Sequence, residues 1–430
     1  MKKKSIYLDH AATTPLNPRV KKVMEPFWVD DFANPGGLYK RGREVKGKID
    51  LAREDIAKIM NAKSEEIIFT SGGTESDNLA ILGVANSLGG LAAKLKKKGH
   101  IITTKFEHHA VLEPCKFLEK NGFDVTYLDV GKEGIINPKD IENSLREDTV
   151  LVSVMYANNE IGTVQPISEI AKVIRNFRST KHKAQNKKQI QNLKLQKNKN
   201  DLEFIDSQFG FNEKFPIFHS DACQAAGYLD LNVDKLGVDL ITLNGSKIYG
   251  PKGVGLLYVR KGINLQPIMY GGGQERGKRP GTENVPGIIG LAEALKISNK
   301  QRGKEVKRIT KLRDYFIGRI LKEIPKTFIN GHTDKRLPNN INISVMGVEG
   351  EALVLYLDEE GIACSTGSAC SSKSLDPSHV IVSLGKPPEY AHGSLRFTLG
   401  RKTSKIELDY VMKVLPKIVD KLRSFSAIQE

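Results

Sequence analysis

Between Glu65 and about residue 264, short runs rich in β-branched and aromatic residues alternate with helical stretches. The runs are EEIIFT, HIITTK, DVTYLDV, VLVSVM, FPIFHSD and VDLITLN. Helical segments such as ESDNLAILGVANSLGGLAAKLKKKG and ISEIAKVIRNFRS lie between several of them. Such alternation leaves few solutions other than an α/β fold, in which a largely parallel sheet is sandwiched by helices. In an open sheet of that kind ligands sit outside the carboxyl ends of the strands. The polar residues that follow each run are therefore the first candidates for chemistry.

Beyond residue 264 the pattern changes. A glycine-rich loop, YGGGQERGKRPGTENVPG, leads into helical segments, then the strand-like runs NNINISVMG, GIACST and GSLRFTLG, then a helical C-terminus. The expected division is a large domain over 17–264 and a smaller α+β domain built from 1–16 and 265–430. From Lys181 to Asn200 the chain carries seven lysines and no acid. Connections in α/β units run to about 2–6 residues, so 181–213 reads as a basic insertion, either solvated or disordered. A weak nucleic-acid contact is the sharper reading, and the net charge of +16 favours it. No aromatic residue interleaves the lysines to stack on bases.

The four cysteines, Cys115, Cys223, Cys364 and Cys370, have no CxxC spacing. That argues against a structural zinc site and a disulfide framework, and no metal is expected. The basic start MKKK precedes no apolar segment, and no apolar run approaches the ~18 residues of a membrane span. A cytoplasmic protein is expected.

After EEIIFT comes SGGTESDN, where Gly73 and Thr74 open a helix. The motif suits an anion cradle and equally a plain N-cap. After VLVSVM comes NNEIG with Asn159, which also reads as an Asx turn. After FPIFHS come Asp221, Cys223 and Gln224: a strand-end carboxylate, a small packing residue and an amide that could simply be exposed. After VDLITLN come Ser246 and Lys247, an ordinary surface charge or a desolvated Schiff-base former. His108 and His109 follow HIITTK. Together these supply a phosphate cradle, an acid for a pyridinium nitrogen, a reactive amine and an aromatic base, the set that pyridoxal phosphate requires.

The stretches YLDHAATTP, FTSGGTESDNLAI, EHHAVLEP, NNEIGTVQPI, HSDACQAAG, KIYGPKGVGLLYV, GGGQERGKRPGTEN, STGSACSS and LRFTLGR, in this order, make the chain resemble the cysteine desulfurases of the NifS/IscS type. These are fold-type I pyridoxal phosphate enzymes of the class V aminotransferase family. The resemblance implies conversion of L-cysteine to L-alanine, with the sulfur left on Cys370 as a persulfide. It would then pass to an iron–sulfur scaffold protein or a tRNA-thiolating enzyme. A selenocysteine lyase or another class V enzyme is the alternative. The resemblance implies that Lys247 is the Schiff-base lysine, Asp221 the partner of the ring nitrogen and His108 the residue stacked on the ring. It makes Gln224 and Asn159 ligands of the phenolic oxygen, and Gly73 and Thr74 part of the phosphate cup. Thr282 would be lent by the second subunit of a homodimer. Arg396, with Asn34 and Asn159, would contact the substrate. Two positions depart from the family pattern. Asn244-Gly245-Ser246-Lys247 stands for Ser-Gly-His-Lys, with Asn244 and Ser246 left to reach the phosphate, and Tyr39 stands for a histidine. The small residues around Cys370 read as a mobile loop, its thiol activated by proton transfer to His108 or another group at the cofactor. Cys364 reads as a packing residue.

Overall fold

The computed structural model describes residues 5–87, 99–195, 215–367 and 377–425, without the side chains of 182–195. The strands in chain order are β1 (Ile6–Tyr7), β2 (Ile67–Thr70), β3 (His100–Thr104), β4 (Asp124–Leu128), β5 (Thr149–Ser153), β6 (Ile217–Asp221), β7 (Leu240–Asn244), β8 (Gly255–Val259), β9 (Thr327–Ile329), β10 (Asn340–Val345), β11 (Ile362–Ala363) and β12 (Ser394–Thr398). Seven of them form one sheet in the order β2-β8-β7-β6-β5-β3-β4. From β7 to β4 it is parallel, and β8 runs antiparallel to both of its neighbours.

Every residue of β3, β5 and β6 is buried. Neighbouring residues on these strands face opposite sides. Ile102, Val152 and Phe218 join the core under the helices Lys40–Met60 and Ile167–Leu195, while Ile101, Leu151 and Ile217 join the core under Gly73–Ser87 and His109–Lys120. Two covered faces explain why these strands lack the in–out alternation of a half-exposed sheet.

A third core lies around β10 and β12, with β1, β11 and the helix Lys405–Phe425. The helix Val285–Glu323 serves two cores. Val285 to Ile297 pack under the large sheet, and Ile309 to Ile320 pack under the small one. Asn284 caps its start by accepting from Gly287 N at 3.1 Å.

The basic insertion does not begin as a loop. The backbone of Ile167–Leu195 is one continuous helix, so the first half of the lysine-rich stretch extends the preceding element. Lysine, glutamine and leucine are good helix formers, and propensity prevails here over like-charge repulsion. Residues 196–214 lie outside the described residues.

Candidate active site

The carboxyl ends of β2, β3, β5, β6 and β7 converge on a cavity of about 320 Å³. β6 ends on Asp221, whose Oδ1 accepts from the Cys223 amide at 2.8 Å. β7 ends on Asn244, and the tight turn Gly245–Lys247 follows. That turn brings Lys247 Nζ to the carbonyls of Ala11 (2.9 Å) and Ala12 (2.6 Å). Gln224 Nε2 donates to the same Ala11 carbonyl at 3.0 Å. The opening residues of the chain therefore form part of the cavity wall.

The helix Gly73–Ser87 starts directly after β2. A Cβ at position 73 would stand 2.8 Å from Cys223 Sγ, so glycine is what lets the helix start approach the end of β6. Asn244 Oδ1 accepts from the Ser246 amide and hydroxyl, both at 3.1 Å. The Asn244 amide nitrogen stands 3.6 Å from the same Gly73 Cβ position.

His108 caps the helix His109–Lys120, its Nδ1 accepting from Ala110 N at 3.0 Å. The neutral ring then carries its proton on Nε2. Burial pushes its pKa down, against the pull of the Asp221 charge. In this tautomer His108 donates, and it can accept a proton only by giving up the cap.

Arg396, on β12, donates to the Asn159 carbonyl at 3.0 Å and to Asp9 Oδ1 at 2.9 Å, while its Nε has no partner. The Asn159 side-chain oxygen is buried and likewise unpartnered. Asn158, by contrast, closes an Asx turn through the amides of Glu160 and Ile161.

Three further acids are buried here: Asp77 and Glu107 feel the Asp221 charge, and Glu160 lines the same cavity. Burial, then the Asp221 charge, pushes Asp77 well above the usual carboxylate range. Burial pushes Glu107 up to about 8, although the Met155 amide and the Thr104 hydroxyl bind its Oε1. Burial pushes Glu160 up to about 7, and Ser378 and Arg396 pull it back. Beneath them His219 is pushed down to about 4 by burial and bridges Ser153 and Thr242.

Of the residues singled out in the sequence, Gly73, Thr74, His108, Asn159 and Asp221 line the cavity, as do Gln224, Asn244, Lys247 and Arg396. Ser246 sits behind Asn244 and does not line it. Cys223 is half-buried on the wall. Asn34, Tyr39 and Thr282 are exposed, away from the cavity of their own protomer. Cys364 packs against the small-sheet core. Cys370, with the loop assigned to it, lies outside the described residues, although Gly367 reaches the cavity.

Sequence reading passed over Asp77 and His379, which also line the cavity. Asp77 had a legible signal, since it lies four residues after Gly73 and so shares its helix face. His379 follows Ser378, the N-cap of a five-residue helix, and no sequence signal marked it.

The family model of aminotransferase class V matches residues 6–183 and 211–411, leaving out most of the lysine-rich stretch. The chain is 48% identical over 428 residues to a cysteine desulfurase IscS of Dictyoglomus turgidum, covering 100% of this chain and 98% of that protein. It is 44% identical over 425 residues to a cysteine desulfurase IscS of Methanosarcina thermophila, covering 99% and 94%. Among solved structures it resembles a NifS-like protein (TM-score 0.81, 32% identity, 98% of this chain and 100% of that one). It also resembles SspA in complex with cysteine (TM-score 0.72, 33% identity, 92% and 99%).

Proposed function

Since the chain belongs to the class V aminotransferase family and is a cysteine desulfurase, we propose that the cavity at the carboxyl ends of β2, β3 and β5–β7 holds pyridoxal phosphate and L-cysteine, and that the sulfur leaves on Cys370. The donor set fits the cofactor. An amine, a strand-end carboxylate, an imidazole and a glycine-opened helix start share one cavity, and the unpartnered Asn159 oxygen on its wall can receive a donor. When bound, the cofactor supplies an electron sink that loosens bonds at the substrate's carbon skeleton.

The remaining work belongs to side chains. Lys247 binds the cofactor covalently, its amine held at the floor by the Ala11 and Ala12 carbonyls. Asp221, at the end of β6, would pair with the ring nitrogen. The start of the Gly73–Ser87 helix, with Thr74 and Asn244, holds the phosphate through amide donors and the positive helix end. His108 stacks on the ring and donates from Nε2. Gln224 and Asn159 orient the phenolic oxygen. Arg396 receives the substrate carboxylate with a guanidinium already oriented by Asp9 and the Asn159 carbonyl; Asn34, exposed and outside the cavity of its own protomer, makes no contact there.

The observation that carries this reading is the meeting of Lys247, Asp221, His108 and Arg396, drawn from separate elements, in one cavity. Purified protein given pyridoxal phosphate and L-cysteine should yield alanine and, with a reductant, sulfide. Cofactor absorbance that responds to cysteine without any alanine would sink the reading. The enzyme acts as a homodimer in which Thr282 completes the partner's phosphate site. The basic helix and the residues after it help dock an acidic sulfur acceptor, an iron–sulfur scaffold or a tRNA-thiolating enzyme, with weak nucleic-acid contact, in the cytoplasm. No helix among the described residues is long and apolar enough to cross a membrane.

A further inference from the structure

The loop that follows β5 meets the second half of the chain through four successive carbonyls. The Asn159 carbonyl accepts from Arg396 Nη1 at 3.0 Å. The Glu160 carbonyl accepts from the side-chain amides of Asn340 (3.0 Å) and Asn342 (3.1 Å), both on β10. The Ile161 carbonyl accepts from Arg336 Nη2 at 2.8 Å, and the Gly162 carbonyl from Leu337 N at 2.8 Å. The fit is close. Gly162 has a φ of +76°, and a Cβ there would stand 2.6 Å from Asn340 Cγ. Arg396 lines the cavity at one side of this row, and Arg336 stands behind it, outside the cavity.

Arg336 is only 5% exposed. Its Nη2 also donates to the Asn330 carbonyl at 3.0 Å, but Nε and Nη1 are buried without a partner. The acid whose charge it feels, Asp314, is paired with Arg313 at 2.7 Å. A buried cation held by carbonyls alone depends on each of them, because losing one leaves charge uncompensated away from water. The loop therefore cannot drift from Arg336 without a penalty. An apolar side chain of similar volume would let it drift, often at no cost to stability. What the guanidinium adds is position.

We propose that Arg336 is a positioning residue for substrate binding: by fixing the Ile161 carbonyl it fixes the loop at Asn159, and with it the orientation of Arg396. This rests on the reading of Arg396 as the clamp of the substrate carboxylate. Arg396 is steadied by an anion, Asp9, on one side and by the neutral Asn159 carbonyl on the other. A loop displaced at Ile161 leaves Asp9 to turn it alone. The guanidinium donors form a rigid fork, and a carboxylate taken bidentately tolerates little rotation of it. Substrate and product both carry that carboxylate, so the effect falls on the binding of both and spares the chemical step.

The test uses the cofactor-loaded enzyme and L-alanine, which keeps the carboxylate but lacks the thiol, so Cys370 does not enter. Isothermal titration calorimetry gives the alanine dissociation constant, and steady-state alanine formation gives KM and kcat for L-cysteine. Arg336→Met should weaken alanine binding and raise KM by about 10- to 100-fold, the span of one charge-assisted hydrogen bond. Its kcat should change by less than about threefold, as expected when uniform binding is lost. Arg336→Lys, which keeps a cation able to reach a carbonyl, should lie between Arg336→Met and wild type. In an Arg396→Lys background the fork is replaced by a point charge that needs no such orientation. There Arg336→Met should add less than about twofold, since residues that act through one another are not additive.

A folded Arg336→Met enzyme with wild-type alanine affinity overturns the proposal, and so does an undiminished effect of Arg336→Met in the Arg396→Lys background. Where Arg336→Met does not fold, Arg336→Lys alone and combined with Arg396→Lys decides by the same two comparisons. Arg396→Lys that binds alanine as tightly as wild type overturns the reading of Arg396 as the clamp instead.

Discussion

Glu107 carries a consequence that needs no cofactor. Its side chain is fully buried and Oε2 has no partner. Burial raises its pKa from the ordinary 4.5 to about 8. The folded state therefore binds a proton that the unfolded chain releases between those values. Its contribution to stability is complete below about pH 4.5 and is lost as pH rises through about 8. Denaturant midpoints of wild type and Glu107→Gln should diverge over this window, with the variant gaining relative stability as pH rises. Parallel curves from pH 5 to 9 would refute the assignment. Asp221 and Lys247 were legible in advance because residue type and strand-end position coincide there. Glu107 and His379 were not. What defines them is burial and a carbonyl 272 residues away in the chain, and neither appears in local sequence.

At the level of elements, the strands were legible because runs covered on both faces need no partner to declare themselves. The start of the Gly73–Ser87 helix was legible as a motif but not as a steric device. Gly73→Ala should push Cys223 aside, at a cost typical of overpacking, about 1–3 kcal/mol. Weakened pyridoxal phosphate binding, measured by equilibrium titration, is the expected result, and Gly73→Ala/Cys223→Ala should recover most of it. No recovery would show that the glycine serves another purpose. The lysine-rich segment was read as an insertion and is in its first half a helix; charge counts in a sequence do not reveal whether good helix formers continue the element before them. Deleting residues 184–210 should spare alanine formation and weaken sulfur transfer to the acceptor, most strongly at low salt. Unchanged transfer across a salt series would assign the segment no docking role.

At the level of the whole molecule, Thr282 stands exposed on its own protomer, where a second copy can use it. Lys247→Ala and Thr282→Ala homodimers should each be strongly impaired. Mixed and reassembled, they should regain activity, because one site of each heterodimer then holds an intact Lys247 from one chain and an intact Thr282 from the other. Absence of complementation would place Thr282 outside the partner's site. A single chain's alternation of strands and helices describes only what one copy folds into.

The opening residues bind both ends of the polypeptide together. β1 pairs with β11, Asp9 holds Arg396, and the Ala11 and Ala12 carbonyls hold Lys247. A ribosome releases Asp9 almost 400 residues before Arg396, so throughout synthesis the lysine has its sheet but the substrate clamp does not yet exist. A nascent chain can bury its large sheet early, yet the clamp is complete only when β11 pairs with β1 and β12 brings Arg396 to Asp9.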